Sequence, residues 1–150
     1  MAEETFAWFA GVDWGSERHQ VCILDAQGSV VGERDFPHSG AGLAELSDWL
    51  LSSTGAVDTV AVAIEVPHGP VVDTLIDRGF VMHAINRKQL DRLRERLSVA
   101  GAKDGRCDAY VMADGVRTDR VPASLTRAPH RPARKTRLPY ASPAPTARPR

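Results

Sequence analysis

The sequence predicts one α/β domain over residues 6–119, built on a mixed five-stranded sheet with flanking helices, and a disordered tail over residues 120–150. The order of the segments predicts the domain, because three short apolar runs precede two alternations of an apolar run with an amphipathic stretch. A change in composition predicts the tail. After residue 119 the chain has eight Lys or Arg, no Asp or Glu, and seven of its ten prolines.

The first three strands are predicted to form an antiparallel meander. Residues 6–12 are an apolar run typical of a strand buried on both faces. Residues 19–24 are rich in Val, Cys and Ile and predict the second strand, and residues 29–36 predict the third. The turn between them contains Gly28, which suits a positive φ.

Helices and strands are predicted to alternate in the second half. Apolar residues at helical spacing predict a first helix around residues 43–50, and residues 57–66 predict a buried strand. A second helix opens at the turn of residues 67–70 and ends before Gly79. A fifth strand spans residues 80–85, and Asn86 is a suitable N-cap for a third helix. The last helix begins at Asp104 or Asp108. This order matches the arrangement of ribonuclease-H-like folds.

The composition excludes several classes of protein. Cys22 and Cys107 lie far apart with no CxxC motif, which argues against a disulfide framework or a cysteine-based zinc site. None of the five histidines lies at metal-ligand spacing from another. The acidic start excludes a signal peptide, and no apolar run approaches the ~20 residues of a membrane span. The sequence therefore predicts a cytoplasmic protein with no membrane partner.

Carboxylates at the ends of apolar strands are the candidate catalytic and metal-binding groups. Asp13 and Glu65 each follow such a run, and Asp104 and Asp108 would share one face of a helix. If the first and fourth strands are neighbours, these acids converge and repel one another unless a divalent cation lies among them. Carboxylate oxygens are ligands that Mg²⁺ prefers. Alternatively, each acid only caps a helix, starts a turn or binds the backbone.

The third predicted helix is strongly basic on one face. Its apolar stripe of Leu90, Leu93 and Leu97 faces the core, and the basic residues are candidate contacts for nucleic-acid phosphates. The alternative is a solvated face on which Asp91 and Glu95 pair with the basic residues. The basic residues are Arg87, Lys88, Arg92, Arg94 and Arg96.

Four ordered motifs across residues 8–120 resemble those of the DEDD transposases of the insertion sequence 110 family. The motifs are GVDWGS (residues 11–16), AIE (63–65), KDGRCDA (103–109) and ADGVRTD (113–119). The resemblance implies a RuvC-like, ribonuclease-H-type domain whose acidic tetrad binds Mg²⁺, or Mn²⁺, for DNA strand exchange. It also implies, for the full-length protein, a second domain with a serine nucleophile, a structured guide RNA and a homo-oligomer.

Two departures from the family pattern change the expectation for this chain. The family reads Lys-x-Asp-x-x-Asp-Ala at the third motif, so Gly105 stands where an aspartate is expected and Asp104 lies one residue early. The chain also stops where the family continues, as in a truncated or frameshifted element. We therefore expect an amino-terminal transposase domain that cannot complete recombination alone.

Two other functions are compatible with the sequence. The first is a non-catalytic nucleic-acid-binding or dimerisation remnant of a truncated element, which Gly105 and the missing serine domain favour. The second is an actin-like kinase domain, because such proteins also open with Gly-x-Asp-x-Gly. That function needs a second phosphate-binding loop, and none is evident in the sequence.

Overall fold

The computed structural model describes residues 5–65, 68–99 and 108–119, and these residues contain the predicted strands and helices in the predicted order. The predicted tail, residues 120–150, lies outside them. The strands are β1 (Trp8–Trp14), β2 (Arg18–Asp25), β3 (Val30–Pro37), β4 (Val60–Ile64) and β5 (Val81–Ala84). The helices are α1 (Gly40–Thr54), α2 (Pro70–Arg78), α3 (Arg87–Val99) and α4 (Asp108–Asp119).

The five strands form one mixed sheet in the order β3-β2-β1-β4-β5. The antiparallel meander of β1, β2 and β3 is present as predicted, and β4 and β5 add in parallel on the other side of β1. In this register Val12 lies opposite Ile64, and Asp13 lies opposite Gln20. The predicted mixed five-stranded α/β architecture is therefore confirmed.

Helices pack on both faces of the sheet. One apolar cluster joins Val12 and Val62 of the sheet to Leu46 and Leu75 of α1 and α2. On the other face, a second cluster joins Ala61 and Ala63 of β4 to residues of α3 and α4, including Leu90, Leu93 and Met112. All five residues of β4 are buried, as expected for a strand covered on both sides.

Gly11 allows α4 to lie directly on β1. A Cβ atom at Gly11 would lie 1.9 Å from the carbonyl oxygen of Ala109 and 2.8 Å from the backbone nitrogen of Ala113. Both of these atoms belong to backbone, which cannot move aside as a flexible side chain can. The absence of a side chain at Gly11 therefore sets the distance between the helix and the sheet.

Element boundaries differ from the predictions at three points. Residues 57–59 form a 3-10 turn instead of the start of a strand, because the backbone N–H and the hydroxyl of Thr59 both donate to the carbonyl of Ala56. Strand β1 continues through Asp13 to Trp14, because Trp14 still pairs with His19. Helix α4 begins at Asp108, and Asp104 lies outside the described residues.

Two predicted helix ends are confirmed. Gly79 follows α2 in the left-handed conformation, with φ of 103°, and its N–H donates to the carbonyls of Ile76 and Leu75. At the start of α3, Asn86 Oδ1 accepts from the N–H of Gln89, and Gln89 Oε1 accepts from the N–H of Asn86. This reciprocal capping box fixes the first turn of α3. None of the described helices is long and apolar enough to cross a membrane.

Substituting Gly11 with alanine is expected to destabilise the domain by about 3 kcal/mol, because the new methyl group overlaps the backbone of α4. The measurement is urea unfolding followed by circular dichroism. The matched control is Gly40→Ala, since no atom lies within 4 Å of a Cβ placed there. We expect Gly40→Ala to change stability by no more than about 1 kcal/mol. Equal stability of the two variants would contradict the close approach of α4 to β1.

Candidate active site

Two of the predicted acids, Asp13 and Glu65, lie at the carboxyl ends of neighbouring parallel strands and so at the same edge of the sheet. Val12 of β1 and Ile64 of β4 are register partners, and Asp13 and Glu65 are the residues that directly follow them. Neighbouring strands lie ~4.8 Å apart, so these two positions are adjacent. Asp13 is half-buried, and 28% of the Glu65 side chain is exposed. The predicted neighbourhood of Asp13 and Glu65 is therefore present in the fold.

The third acid, Asp108, arrives from the helix that covers β1. It is the first residue of α4, and the next residue, Ala109, is fully buried against β1 at Gly11. The contact at Gly11 thus carries Asp108 to the neighbourhood of Asp13. A carboxylate at the first turn of a helix is also stabilised by the unpaired N–H groups there.

The three carboxylates act on one another electrostatically. Burial raises the pKa of Asp13, and the negative charges of Asp108 and Glu65 raise it further. The positive charge of Arg94 acts in the opposite direction on the same pKa. The surroundings therefore disfavour the ionised form of Asp13.

Two arginines of α3 bind the other two acids, Asp108 and Glu65. Arg94 Nε lies 2.9 Å from Asp108 Oδ1, and Arg94 Nη2 lies 2.5 Å from Asp108 Oδ2. The third nitrogen, Nη1, lies 3.0 Å from Asp91 Oδ1. Arg87 Nη1 lies 3.3 Å from Glu65 Oε1. The hydrogen bond with Asp108 is the main cause that raises the pKa of Arg94.

The donor chemistry of this edge fits a hard divalent cation, because carboxylates on β1, directly after β4 and at the start of α4 lie in one neighbourhood. In the arrangement described, however, two of those carboxylates bind guanidinium groups. Within residues 5–65, 68–99 and 108–119, no three His, Cys, Asp or Glu side chains form a ready-made metal site. Asp104, the predicted fourth acid, and Gly105 lie outside the described residues.

The basic residues predicted to contact nucleic acid have different surroundings. Arg87 and Arg94 contact the acids, and Arg96 Nη2 donates to Thr118 Oγ1 of α4 at 3.0 Å. Lys88 and Arg92 are exposed on the surface of α3. The pairing of Asp91 with Arg94 shows that part of this face forms ion pairs within the helix. A nucleic-acid role for these residues stays a prediction.

A pair of histidines beside the acids was not apparent from the sequence. His19 is buried, and its Nε2 atom lies 2.9 Å from Nδ1 of the exposed His38. The N–H of Gly15 donates to His19 Nδ1 at 3.2 Å. His19 Nδ1 is therefore the acceptor, and Nε2 carries the proton that His38 accepts. Only the register of β2 with β3 brings His38 near His19, so spacing along the chain gives no signal of the pair.

An open polar cavity of about 380 Å³ lies next to Asp13, on the side of β2 and β3. Its polar lining includes Arg18, Gln20 and Asp35, and Arg18 Nε binds Asp35 Oδ2 at 3.2 Å. The acidic edge is therefore reachable from solvent across β2 and β3.

Acidification is expected to destabilise the fold through His19. Burial lowers the pKa of His19, and the nearby His38 lowers it further, so the folded state favours neutral imidazole. This contribution is complete above the unfolded pKa of about 6.5 and is lost as the pH falls through that value towards the folded pKa. Protonation of Nδ1 also removes the acceptor of the Gly15 N–H.

The pH dependence of the melting temperature measures this contribution. The wild-type chain should melt at lower temperature as the pH falls from about 7.5 to about 5.5, and His19→Gln should reduce that slope. The control is His68→Gln, at an exposed loop residue, which should keep the full slope. An unchanged slope in His19→Gln would rule out His19 as the source.

Removing the charge of Asp13 is expected to stabilise the metal-free protein at neutral pH. A raised folded pKa means that the protonated acid contributes stability, which is lost as the pH rises through that folded pKa. Asp13→Asn should therefore raise the melting temperature at pH 7 in the presence of a chelator. The control Asp58→Asn, at an exposed residue of the 3-10 turn, should change it little. A lower melting temperature for Asp13→Asn would contradict the repulsion described above.

A comparison with solved structures concerns the fold. A solved structure of the large terminase nuclease from thermophilic phage G20c superposes with a TM-score of 0.51 at 13% identity, covering 79% of this chain and 83% of that one. A likeness at this identity concerns the fold alone, and it supports the predicted ribonuclease-H-like fold class.

Two relatives carry transposase names. The protein y4uE of Sinorhizobium fredii (strain NBRC 101917 / NGR234) is 58% identical over 113 residues, which are 74% of this chain and 32% of that protein. The mini-circle transposase for IS117 of Streptomyces coelicolor (strain ATCC BAA-471 / A3(2) / M145) is 33% identical over 120 residues, covering 79% of this chain and 29% of that protein. The match thus spans about a third of each relative. A transposase family profile, that of the DEDD transposases of insertion sequence 110, matches residues 10–135. The chain belongs to the insertion sequence 110 family of DEDD transposases.

Proposed function

We propose that residues 6–119 form the RuvC-like amino-terminal domain of a transposase, which uses a divalent ion held by acidic residues for phosphodiester chemistry on DNA. The observation that carries this proposal is the convergence of Asp13, Glu65 and Asp108 at one edge of the sheet, where burial and the charges of Asp108 and Glu65 raise the pKa of Asp13. Structural ion pairs alone do not explain why Asp13 is held there in a surrounding that disfavours its charge.

Asp13, Glu65 and Asp108, together with Asp104, are the proposed ligands of Mg²⁺ or Mn²⁺. When bound, the ion supplies a Lewis acid for the scissile phosphate and lowers the pKa of an attacking hydroxyl. The chain itself fixes the ligands. Asp13 and Glu65 extend from two hydrogen-bonded strands, and Asp108 extends from a helix that is packed on backbone. Such rigid support suits chemistry that is sensitive to displacements of about 1 Å.

The proposed nucleic-acid contacts are the basic residues of α3. Lys88 and Arg92 are exposed and lie on the helix that also borders the acidic edge through Arg87 and Arg94. Phosphates contacting α3 would therefore lie near the proposed metal ligands. For the full-length protein we propose a DNA substrate in the cytoplasm, a structured guide RNA and a homo-oligomer, as the family membership suggests.

A second function is favoured by the ion pairs themselves. Arg94 and Arg87 neutralise two of the three acids, as they would in a module that never binds a metal ion. Such a remnant of an insertion element would bind nucleic acid or dimerise without catalysis. It predicts DNA binding that falls steeply with salt and persists in Asp13→Ala and Glu65→Ala variants.

Binding of a divalent ion is expected to raise the melting temperature of the full chain. At an Mg²⁺ or Mn²⁺ concentration ten times the dissociation constant, stabilisation is about 1.4 kcal/mol, or several degrees. NaCl at equal ionic strength controls for screening. Asp13→Asn and Glu65→Gln should lose the shift, and Asp58→Asn should keep it. A folded wild-type chain whose melting temperature does not change at metal-ion concentrations up to roughly 100 mM would exclude the proposed metal chemistry and leave the non-catalytic module.

A further inference from the structure

We propose that Arg94 is a built-in competitor of the divalent ion, because its guanidinium occupies both carboxylate oxygens of Asp108 that the ion needs. In this inference, which rests on the proposed function, Arg94 is a positioning residue. It holds Asp108 at the acidic edge while the metal is absent and leaves Asp108 when the metal binds.

Both oxygens of Asp108 accept a hydrogen bond from Arg94, so an ion that binds on the same side of the carboxylate must displace the guanidinium. Arg94 Nε and Nη2 donate in parallel to Oδ1 and Oδ2, at 2.9 Å and 2.5 Å. This fork-to-fork arrangement is the strongest form of an arginine–carboxylate contact. Arg94 therefore differs from a basic residue that merely lies near an acidic site, because it covers the same atoms as the ion would.

Arg94 is the stronger of the two arginine contacts at this edge. The side chains of Arg94 and Asp108 are 37% and 30% exposed, and they form two hydrogen bonds. Arg87 is 73% exposed and reaches Glu65 through a single contact of 3.3 Å. Solvent screens the Arg87 contact more completely, so it contributes little. Competition with the ion therefore falls mainly on Arg94.

The charge of Arg94 also substitutes for part of the charge that an ion would bring. Its field lowers the pKa of Asp13, against the effects of Asp108 and Glu65. A guanidinium and a divalent cation at the same carboxylate would repel each other, since like charges a few ångströms apart repel even where solvent partly screens them. The two cations are therefore alternatives at Asp108.

Asp91 gives the displaced guanidinium a second partner. It lies one turn before Arg94 on α3, and its Oδ1 atom already accepts from Arg94 Nη1 at 3.0 Å. Arg94 can thus leave Asp108 without becoming an unpaired charge. The side chain needs only to turn towards the more exposed Asp91, which is 54% exposed.

The experiment measures Mn²⁺ affinity of the full 150-residue chain from the electron paramagnetic resonance signal of the free ion. Arg94→Gln should bind Mn²⁺ about tenfold more tightly than wild type, because the charge-assisted contact of Arg94 with Asp108 no longer opposes the ion. Arg94→Lys keeps the charge without the fork and should lie between them. Circular dichroism verifies the fold of each variant, and either variant alone tests the competition.

The matched control is Arg78→Ala. Arg78 Nη1 binds Asp48 Oδ1 at 2.7 Å with 40% of its side chain exposed, and it lies on α2, which packs on the opposite face of the sheet. This variant removes one positive charge and one arginine–aspartate ion pair whose arginine is as exposed as Arg94. It should leave Mn²⁺ affinity unchanged, which separates competition at Asp108 from a general change in net charge.

The outcomes separate this inference from the function on which it rests. Wild-type binding that Asp13→Asn abolishes, with no tighter binding in Arg94→Gln, overturns the competition and leaves the metal site. Weaker binding in Arg94→Gln would also overturn it, since it would make Arg94 a support for the site. Absence of Mn²⁺ binding in wild type and in both Arg94 variants overturns the metal proposal together with this inference. Tighter binding in Arg94→Gln than in wild type, abolished in turn by Asp13→Asn, supports both.

Discussion

The close contact between Gly11 and the backbone of α4 is the constraint on which the other features depend. It places Ala109 and Ala113 directly on β1, so that the apolar face of α4 covers the sheet. Gly115 of α4 lies close to α3 on the same face of the sheet, because a Cβ there would lie 2.4 Å from Leu93 Cδ1. The packing of α4 on β1 and of α3 beside α4 places Asp108 and Arg94.

The acidic edge is a compromise between stability and chemistry. Burial and two neighbouring charges disfavour the ionised form of Asp13, yet the fold holds this residue within a hydrogen-bonded strand. The apolar clusters on both faces of the sheet offset that cost, and Arg94 offsets part of it locally. Perturbed carboxylates of this kind are common at functional sites, where structure holds groups in arrangements that stability alone would not select.

Local patterns in the sequence predicted most of the fold, and spatial contacts explain what they missed. The order of strands and helices along the chain and the helix ends at Asn86 and Gly79 followed from apolar runs and capping residues. The neighbourhood of Asp13 and Glu65 followed from adjacent parallel strands. Two contacts could not be predicted, because packing or strand register sets the proximity of their residues. They are the ion pair of Arg94 with Asp108 and the hydrogen bond of His19 with His38. The 3-10 turn at residues 57–59 was missed because a local hydroxyl contact outweighs strand propensity there.

The position of β3 at the rim of the sheet has a consequence for self-association. Within the described part of the chain, no strand pairs with its outer side, and Val30 and Val31 are 51% and 47% exposed. An exposed edge strand with apolar residues can pair with a strand of another copy of the protein. Three consecutive charged residues, Glu33, Arg34 and Asp35, oppose this further along the strand. Self-association through β3 therefore depends on Val30 and Val31 at one end of the strand, and the charged residues at the other end oppose it.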